Sequence, residues 1–114
     1  MTNEKEFMLL FRFRPSNEQP TPKQMQEMQK QWGAFIGTIA MQGKLVSTHQ
    51  LGFDGKIIAP DQSTKDGFYI SEGQTVARNM IYKSSTLESA TEIAKNCPIL
   101  NMGGTVEVRS IQPM

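Results

Sequence analysis

Hydrophobic and polar residues alternate along the chain with two different periods, which divide it into predicted strands and helices. Short apolar runs rich in aromatic and β-branched residues, some of them with a period of two, predict four strands. These strands are expected at residues 7–13, 45–51, 76–83 and 105–111. Apolar residues three and four positions apart predict two helices, which begin near Thr21 and near Ser85.

The first helix has start and stop signals with a physical basis. Thr21 can cap the N-terminus, Pro22 suits the first helical position, and Gln24 can complete a capping box. Gly43 is the expected stop. The apolar stripe of this helix consists of Met25, Met28, Trp32, Phe35, Ile36 and Ile39.

Two further signals concern the second helix and a hairpin. Ser85 and Glu88 are spaced as a second capping box, and the helix that follows is expected to end by Asn96 and Pro98. The dipeptide Asp54-Gly55 favours a tight turn, so residues 56–58 are predicted to return beside the strand at 45–51.

The element order is strand, helix, strand with a hairpin extension, strand, helix, strand. This order predicts a single α+β domain over residues 1–114 with a ferredoxin-like βαββαβ fold. Such a fold has a four-stranded antiparallel sheet with both helices on one face. A chain of this size supports one hydrophobic core with a radius of roughly 13 Å.

The first strand is apolar on both of its faces. Phe7, Leu9 and Phe11 point to one side of the predicted sheet, and Met8 and Leu10 point to the other. Two helices cover one face, so the second apolar face needs a partner. We expect a homodimer in which two sheets pack face to face.

Charge and composition narrow the function classes. Twelve Lys and Arg residues against eleven Asp and Glu give a net charge of +1, which argues against a duplex-binding basic face. The apolar run at residues 7–11 is too short to span a bilayer and is flanked by charges. One cysteine and one histidine exclude an internal disulfide and a Cys/His zinc site. We therefore expect a cytoplasmic protein without a metal or cofactor and with neither nucleic acid nor membrane as a partner.

Several polar side chains are candidate functional residues. His49 is the only side chain whose ordinary pKa lies near neutrality, although a lone histidine on a strand is also compatible with a structural or surface role. Arg12, Glu107 and Arg109 lie near the ends of neighbouring predicted strands. They are arranged either to bind an anionic ligand or to form a cross-strand ladder of ion pairs. Trp32 either packs in the core or stacks against a ligand.

Several segments together resemble the YCII-related or DGPF-domain proteins, a family of small dimeric α+β barrels. The matching residues are 7–10, Met28, Trp32, Phe35, 43–45, 54–58, 65–67, 90–95, 97–100 and 104–109. The resemblance covers almost the whole chain and implies a dimeric α+β barrel. It also implies a ligand cleft between the sheet and the hairpin.

The resemblance makes Asp66 the leading site candidate. His49 is its candidate catalytic partner for a different reason, because it is the only side chain able to exchange a proton near pH 7. Asp66-Gly67 matches the start of the family's Asp-Gly-Pro-Phe motif, but Phe68 stands where the family has proline. In this cleft Asp66 is expected to act as a base or ligand anchor; the alternative is that Asp-Gly simply forms a turn. Tyr69 and Glu72, just after the motif, are candidate ligand contacts beside Arg12 and Arg109.

One departure bears directly on the chemistry. The YCII branch has a histidine in its first helix, and Trp32 stands in its place here. Three function classes remain open: binding or transformation of a small organic molecule, a non-catalytic dimeric interaction module, and RNA binding. Phe11 and Phe13 on one strand are the weak indication of RNA-stacking aromatics.

Overall fold

The structure is a computed structural model that describes residues 4–15 and 21–112. It is an α+β fold with two α-helices and a four-stranded antiparallel sheet, plus a separate two-stranded hairpin. The strands are β1 (Lys5–Phe13), β2 (Leu45–Gln50), β3 (Lys56–Ile58), β4 (Thr64–Asp66), β5 (Thr75–Ser84) and β6 (Thr105–Ser110). The helices are α1 (Pro22–Met41), α2 (Leu87–Ala94) and a short 3₁₀ helix at Pro98–Met102.

The main sheet has the strand order β2-β5-β1-β6, so the two long strands lie at its centre. Both helices supply side chains to one core, which lies on a single face of this sheet. This arrangement is compatible with the predicted ferredoxin-like fold.

The predicted alternation of β1 is confirmed. Phe7, Leu9 and Phe11 are buried against the helices, whereas Met8 and Leu10 are half-buried on the opposite face. Strand β5 and both helices complete the core with Met80, Tyr82, Phe35, Ile39, Ala90 and Ala94. The hydroxyl of the buried Tyr82 donates a hydrogen bond to the carbonyl oxygen of Ala90, which joins the sheet to α2.

The start and stop signals of α1 are confirmed. The Thr21 hydroxyl accepts from the Gln24 backbone N–H at 3.1 Å, and the Gln24 side chain accepts from the Thr21 N–H at 2.9 Å. Gly43 follows the helix with φ of 70°. The capping box of α2 forms one residue later than predicted, with Thr86 and Ser89 in place of Ser85 and Glu88. Thr86 takes the cap because its hydroxyl, in extended backbone, reaches the Ser89 N–H.

The prediction that residues 56–58 return beside β2 is wrong. Strand β3 pairs with β4 in a separate hairpin, and β2 pairs with β5. The turn lies at residues 59–63, where Gln62 has φ of 72° and the Asp61 carboxylate accepts from the Ser63 N–H at 2.9 Å. The same carboxylate also accepts a hydrogen bond from the Ser63 hydroxyl. Together the bonds from the hydroxyl and from the N–H lower the pKa of Asp61. The predicted turn residue Gly55 instead lies at the base of the hairpin, where its carbonyl accepts from the Gly67 N–H.

The 3₁₀ helix after α2 was not predicted, and it brings the chain back to the sheet at Gly104. A Cβ atom at Gly104 would lie 2.5 Å from the Arg12 carbonyl oxygen and 2.6 Å from Ile99 Cγ1, so only glycine fits this approach. The crossing places Ile99 in the core and sets the start of β6 beside β1.

The molecule is flatter than its length suggests. Its radius of gyration is 15.8 Å, against roughly 13 Å expected for a compact chain of this length. The extents are 48 × 42 × 20 Å, so the shortest dimension is that of one sheet covered by one layer of helices. The β3–β4 hairpin extends from this slab, and within residues 4–15 and 21–112 no helix or strand packs on the sheet face opposite the helices, which is the uncovered face.

Candidate functional site

A cavity of about 440 Å³ lies between α1 and the adjoining ends of β1, β2 and β5. Its volume is within the range of pockets that bind small organic molecules. The lining residues are Phe13, Met25, Met28, Gln29, Trp32, Gly33, Ile36, Gln50, Ala77, Arg78, Ile99 and Met102. Most of these side chains are apolar, and three polar ones lie among them.

Local sequence features explain how the lining is assembled. The α1 residues of the cavity recur at helical spacing, so one face of α1 supplies one wall. A register shift in β5 forms part of the opposite wall of the cavity. Phe11 pairs with Arg78, but the next pair along the strands is Arg12 with Val76. Ala77 is the extra residue of this β-bulge, and both Ala77 and Arg78 line the cavity. Bulges often redirect side chains next to functional sites.

Arg78 is the only charged side chain among the lining residues. Its guanidinium lies 4.4 Å from the centroid of the Trp32 ring, a cation–π contact. Its Nη2 donates a long hydrogen bond of 3.4 Å to Gln50 Oε1. No carboxylate of the described residues forms an ion pair with it.

Partial burial of the Arg78 guanidinium lowers its pKa below the ordinary value, and the neighbouring Cys97 has a smaller opposite effect. An arginine nevertheless keeps its charge at neutral pH. The site therefore has a fixed positive charge, partly removed from water and held against an aromatic face.

Trp32 belongs to the core and to the cavity at once. Its ring makes edge-to-face contacts with Phe11 at 5.3 Å and with Phe35 at 6.1 Å between ring centroids. The same half-buried side chain lines the cavity and supports Arg78. The position of Trp32 is thus compatible with both roles that the sequence leaves open, packing in the core and stacking against a ligand.

Asp66 and His49, the predicted catalytic pair, lie outside this cavity. Asp66 ends β4 with its side chain 88% exposed, and its Oδ1 accepts from Lys56 Nζ at 2.7 Å across the hairpin. His49 is exposed on β2, opposite Asn79 of β5. Asp66 borders an open groove at the base of the hairpin, which Phe53 and Asp54 also line. The described contacts join Asp66 to Lys56 rather than to His49.

The predicted ligand residues lie in two other places. Arg12 Nη1 is 2.6 Å from Glu107 Oε1, and Arg109 Nε is 3.9 Å from Glu107 Oε2. The first contact joins β1 to β6, as the cross-strand alternative for this cluster predicts, whereas the second joins two residues of β6. Tyr69 and Glu72 are exposed in the loop before β5, where Glu72 has φ of 54°.

Sequence reasoning missed Arg78 as a functional residue, although a signal for it was present. Arg78, Met80 and Tyr82 are two positions apart on β5 and therefore share one face. Met80 and Tyr82 are fully buried beneath the helices. The guanidinium of Arg78, on the same face, therefore lies at the edge of the core. Gln50 was missed because its position beside Arg78 depends on the pairing of β2 with β5.

The other potential sites contain fewer charged or metal-binding side chains. A second cavity of about 430 Å³ lies between α1 and the segment 93–101, and none of its lining residues is charged. Within residues 4–15 and 21–112, no three His, Cys, Asp or Glu side chains are grouped so that they could hold a metal ion. The structure has, in its described parts, no helix with the length and apolar character needed to cross a membrane. Phe11, one of the two aromatics considered for RNA stacking, is fully buried under the helices.

Comparison with models of known protein families gave no match to this chain, and comparison with curated proteins gave none either. The resemblance to YCII-related and DGPF-domain proteins therefore stays a prediction from the sequence.

Proposed function

We propose that this protein binds a small organic molecule in the cavity between α1 and the ends of β1, β2 and β5. The observation that supports this most directly is an apolar cavity of about 440 Å³ with few polar groups on its wall. Pockets of this size and composition bury most of the surface of a small ligand, and their few polar groups orient it. This location differs from the cleft beside the hairpin that the family resemblance implies.

Binding without proton transfer is the role that the lining residues favour. The polar side chains of the lining are the amides of Gln29 and Gln50 and the guanidinium of Arg78. Amides and guanidinium groups donate or accept hydrogen bonds, but neither exchanges a proton near neutral pH. Catalysis by Asp66 and His49 remains a separate hypothesis, because neither residue lines this cavity.

Trp32 is the single tryptophan of the chain and lines the cavity, so all tryptophan fluorescence comes from a residue of the cavity wall. The experiment titrates the protein with 4-phenylbutanamide and with 4-phenylbutanoate, exciting at a wavelength that the probes do not absorb. We expect a saturable change in Trp32 fluorescence with at least one probe.

The matched variants are Gly33→Phe and Gly37→Phe. Gly33 lines the cavity, whereas Gly37 lies one helical turn further along α1 and outside the lining. Gly33→Phe should occupy the cavity and abolish the fluorescence change, and Gly37→Phe should retain it. Absence of a saturable change with both probes, or unchanged binding by Gly33→Phe, would contradict the proposal.

We also propose that two copies form a dimer through the uncovered sheet face. Register pairing puts Met8 and Ile81 side by side on this face, with Leu10 next to Met8 along β1. All three are half-buried rather than covered. Leu10 also pairs with Asn79, whose Oδ1 is buried without a hydrogen-bond partner among the described residues. A buried acceptor without a hydrogen bond costs about 1–3 kcal/mol of stability, and a hydrogen bond from a second copy to this amide would remove that cost.

The non-catalytic interaction module is the alternative function for the same dimer. In that case the sheet-to-sheet contact would form while the cavity beside α1 bound neither probe. The surface proposed for the dimer contact and the cavity lie on opposite faces of the sheet, so the two proposals can be tested independently.

A further inference from the structure

The positive charge of Arg78 is unbalanced within the described part of the chain. The ion pairs of the described residues join Arg12, Lys44, Lys56, Lys95 and Arg109 to carboxylates, and none includes Arg78. A half-buried cation without a carboxylate partner has lost part of its hydration without gaining an opposite charge. A negatively charged group in the cavity would supply that charge.

The geometry around Arg78 leaves its hydrogen-bonding edge available. The guanidinium lies over the Trp32 ring, with its Cζ atom 4.4 Å from the ring centroid, and this contact helps to hold the side chain in place. Of the five N–H donors of an arginine, one makes the long contact of 3.4 Å with Gln50. The remaining N–H donors can be offered to a carboxylate, which can accept two parallel hydrogen bonds from a guanidinium.

The rest of the lining limits what can accompany the anionic group. Beyond Arg78 the walls are mainly apolar, and Met28, Ile36 and Phe13 are among the lining residues. One cation and two neutral amides suit a single negative charge better than the two charges of a phosphate monoester. The volume of about 440 Å³ leaves room for an apolar body of roughly a dozen non-hydrogen atoms.

We propose that Arg78 is the anion anchor of the cavity and that the ligand class is organic monocarboxylic acids with an apolar or aromatic body. The carboxylate meets the edge of the guanidinium, and the body lies along Trp32 and the methionines of α1. This inference rests on the proposed binding function, and it adds the charge of the ligand and the residue that recognises it.

The test compares two probes that differ in charge but hardly in shape, 4-phenylbutanoate and 4-phenylbutanamide. In the wild-type protein the carboxylate should bind more tightly than the amide. Arg78→Gln should weaken binding of the carboxylate by about tenfold or more, since charge-assisted hydrogen bonds are roughly twice as strong as neutral ones. Binding of the amide should weaken much less in the same variant, because the neutral amide has no charge that pairs with Arg78.

Two further variants separate charge recognition from general effects. Lys83→Gln removes one exposed positive charge from the same strand and should leave the affinity for the carboxylate as in wild type. Arg78→Lys retains the charge and the possibility of a cation–π contact but loses the planar fork, so its affinity should be intermediate. Since it keeps a cation over Trp32, it also serves if Arg78→Gln fails to fold.

The outcomes distinguish this inference from the function on which it rests. Failure of both probes to bind would remove the proposed function itself. Equal binding of the amide and the carboxylate to the wild-type protein would leave the cavity as a binding site but overturn the role of Arg78. Tighter binding of 2-phenylethyl phosphate than of 4-phenylbutanoate would overturn the assignment to monocarboxylates.

Discussion

Trp32 connects the core to the cavity, and its substitution should reveal both contributions. Truncation removes the edge-to-face contacts with Phe11 and Phe35 and the support beneath Arg78. Because Trp32 is half-buried, we expect Trp32→Ala to lower the free energy of unfolding by about 3 kcal/mol, the low end for large aromatics. Chemical denaturation followed by circular dichroism measures this change.

Trp32→Phe is the matched control for that substitution. A phenyl ring keeps an aromatic face for Arg78 and part of the contact with Phe11, so most of the lost stability should return. A Trp32→Ala protein as stable as wild type would show that the ring belongs to the cavity rather than to the core.

Cys97 should make the stability of the protein depend on alkaline pH. Burial raises the pKa of its thiol from 9.0 to about 11, against smaller lowering effects of a backbone hydrogen bond at Ile99 and of Arg78. Well below pH 9 the thiol is protonated in both the folded and the unfolded state and contributes no pH dependence. Between pH 9 and about 11 the unfolded thiol loses its proton while the folded thiol keeps it, so the free energy of unfolding falls as pH rises.

Urea denaturation at a series of pH values measures this dependence. Burial also raises the pKa of Tyr82 from its ordinary value of 10.0, so a second decrease should begin above that pH. Cys97→Ala should remove the decrease between pH 9 and 10 and retain the one from Tyr82. A stability that is flat up to pH 11 in the wild-type protein would contradict the burial of both groups.

At the scale of single elements, one glycine within α1 and one just after it have opposite requirements. Gly37 lies within the helix, and a Cβ atom there would meet nothing within 4 Å. Gly37→Ala should therefore stabilise the protein by about 0.5–1 kcal/mol, because alanine has less freedom to lose on folding. Gly43 ends the helix with φ of 70°, a conformation that alanine adopts poorly. Gly43→Ala should destabilise the protein by about 1–2 kcal/mol.

Thermal unfolding of the two alanine variants tests this contrast directly. Both substitutions add one methyl group without a steric clash, so a difference in sign reports backbone conformation alone. Stabilisation by Gly43→Ala would show that Gly43 is not in the left-handed conformation in solution, and destabilisation by Gly37→Ala would contradict the prediction for Gly37.

The elements also show which features the sequence could predict. Local signals predict much of the structure, such as the capping box of Thr21 with Gln24 and the alternation of β1, although the capping box of α2 lies one residue later than its signal predicts. The partner of β3 was not predicted correctly, because a dipeptide such as Asp54-Gly55 favours a turn without specifying which strands pair across it. The cavity was missed for a related reason: Gln50 and Arg78 meet only through the pairing of β2 with β5, and the bulge at Ala77 has no local signal.

At the scale of the whole molecule, the flat shape leaves one side of the sheet without a covering layer. The thickness of 20 Å corresponds to two layers, although domains of this class usually bury both faces of a sheet that carries apolar residues. The uncovered face combines the apolar Met8, Leu10 and Ile81 with the ion pair between Arg12 and Glu107. An apolar patch bordered by paired charges is typical of an interface between proteins.

A sheet-to-sheet homodimer should give twice the chain mass of 12.8 kDa by light scattering at micromolar concentration. Ile81→Lys places a charge in the middle of this face, and it should produce a folded monomer, because two lysines would face each other across a two-fold interface. The matched control is Ile58→Lys, which adds the same charge to the exposed β3–β4 hairpin, where the side chain is 69% exposed.

The control distinguishes the two surfaces that can hold the copies together. If Ile58→Lys yields monomers while Ile81→Lys remains a dimer, the hairpin and not the sheet face forms the contact. A wild-type protein with the mass of one chain would exclude both contacts and, with them, the dimeric barrel that the sequence resemblance implies. Ligand titrations on the Ile81→Lys monomer should still change Trp32 fluorescence, because the cavity lies on the helix side of the sheet and its described lining comes from one chain.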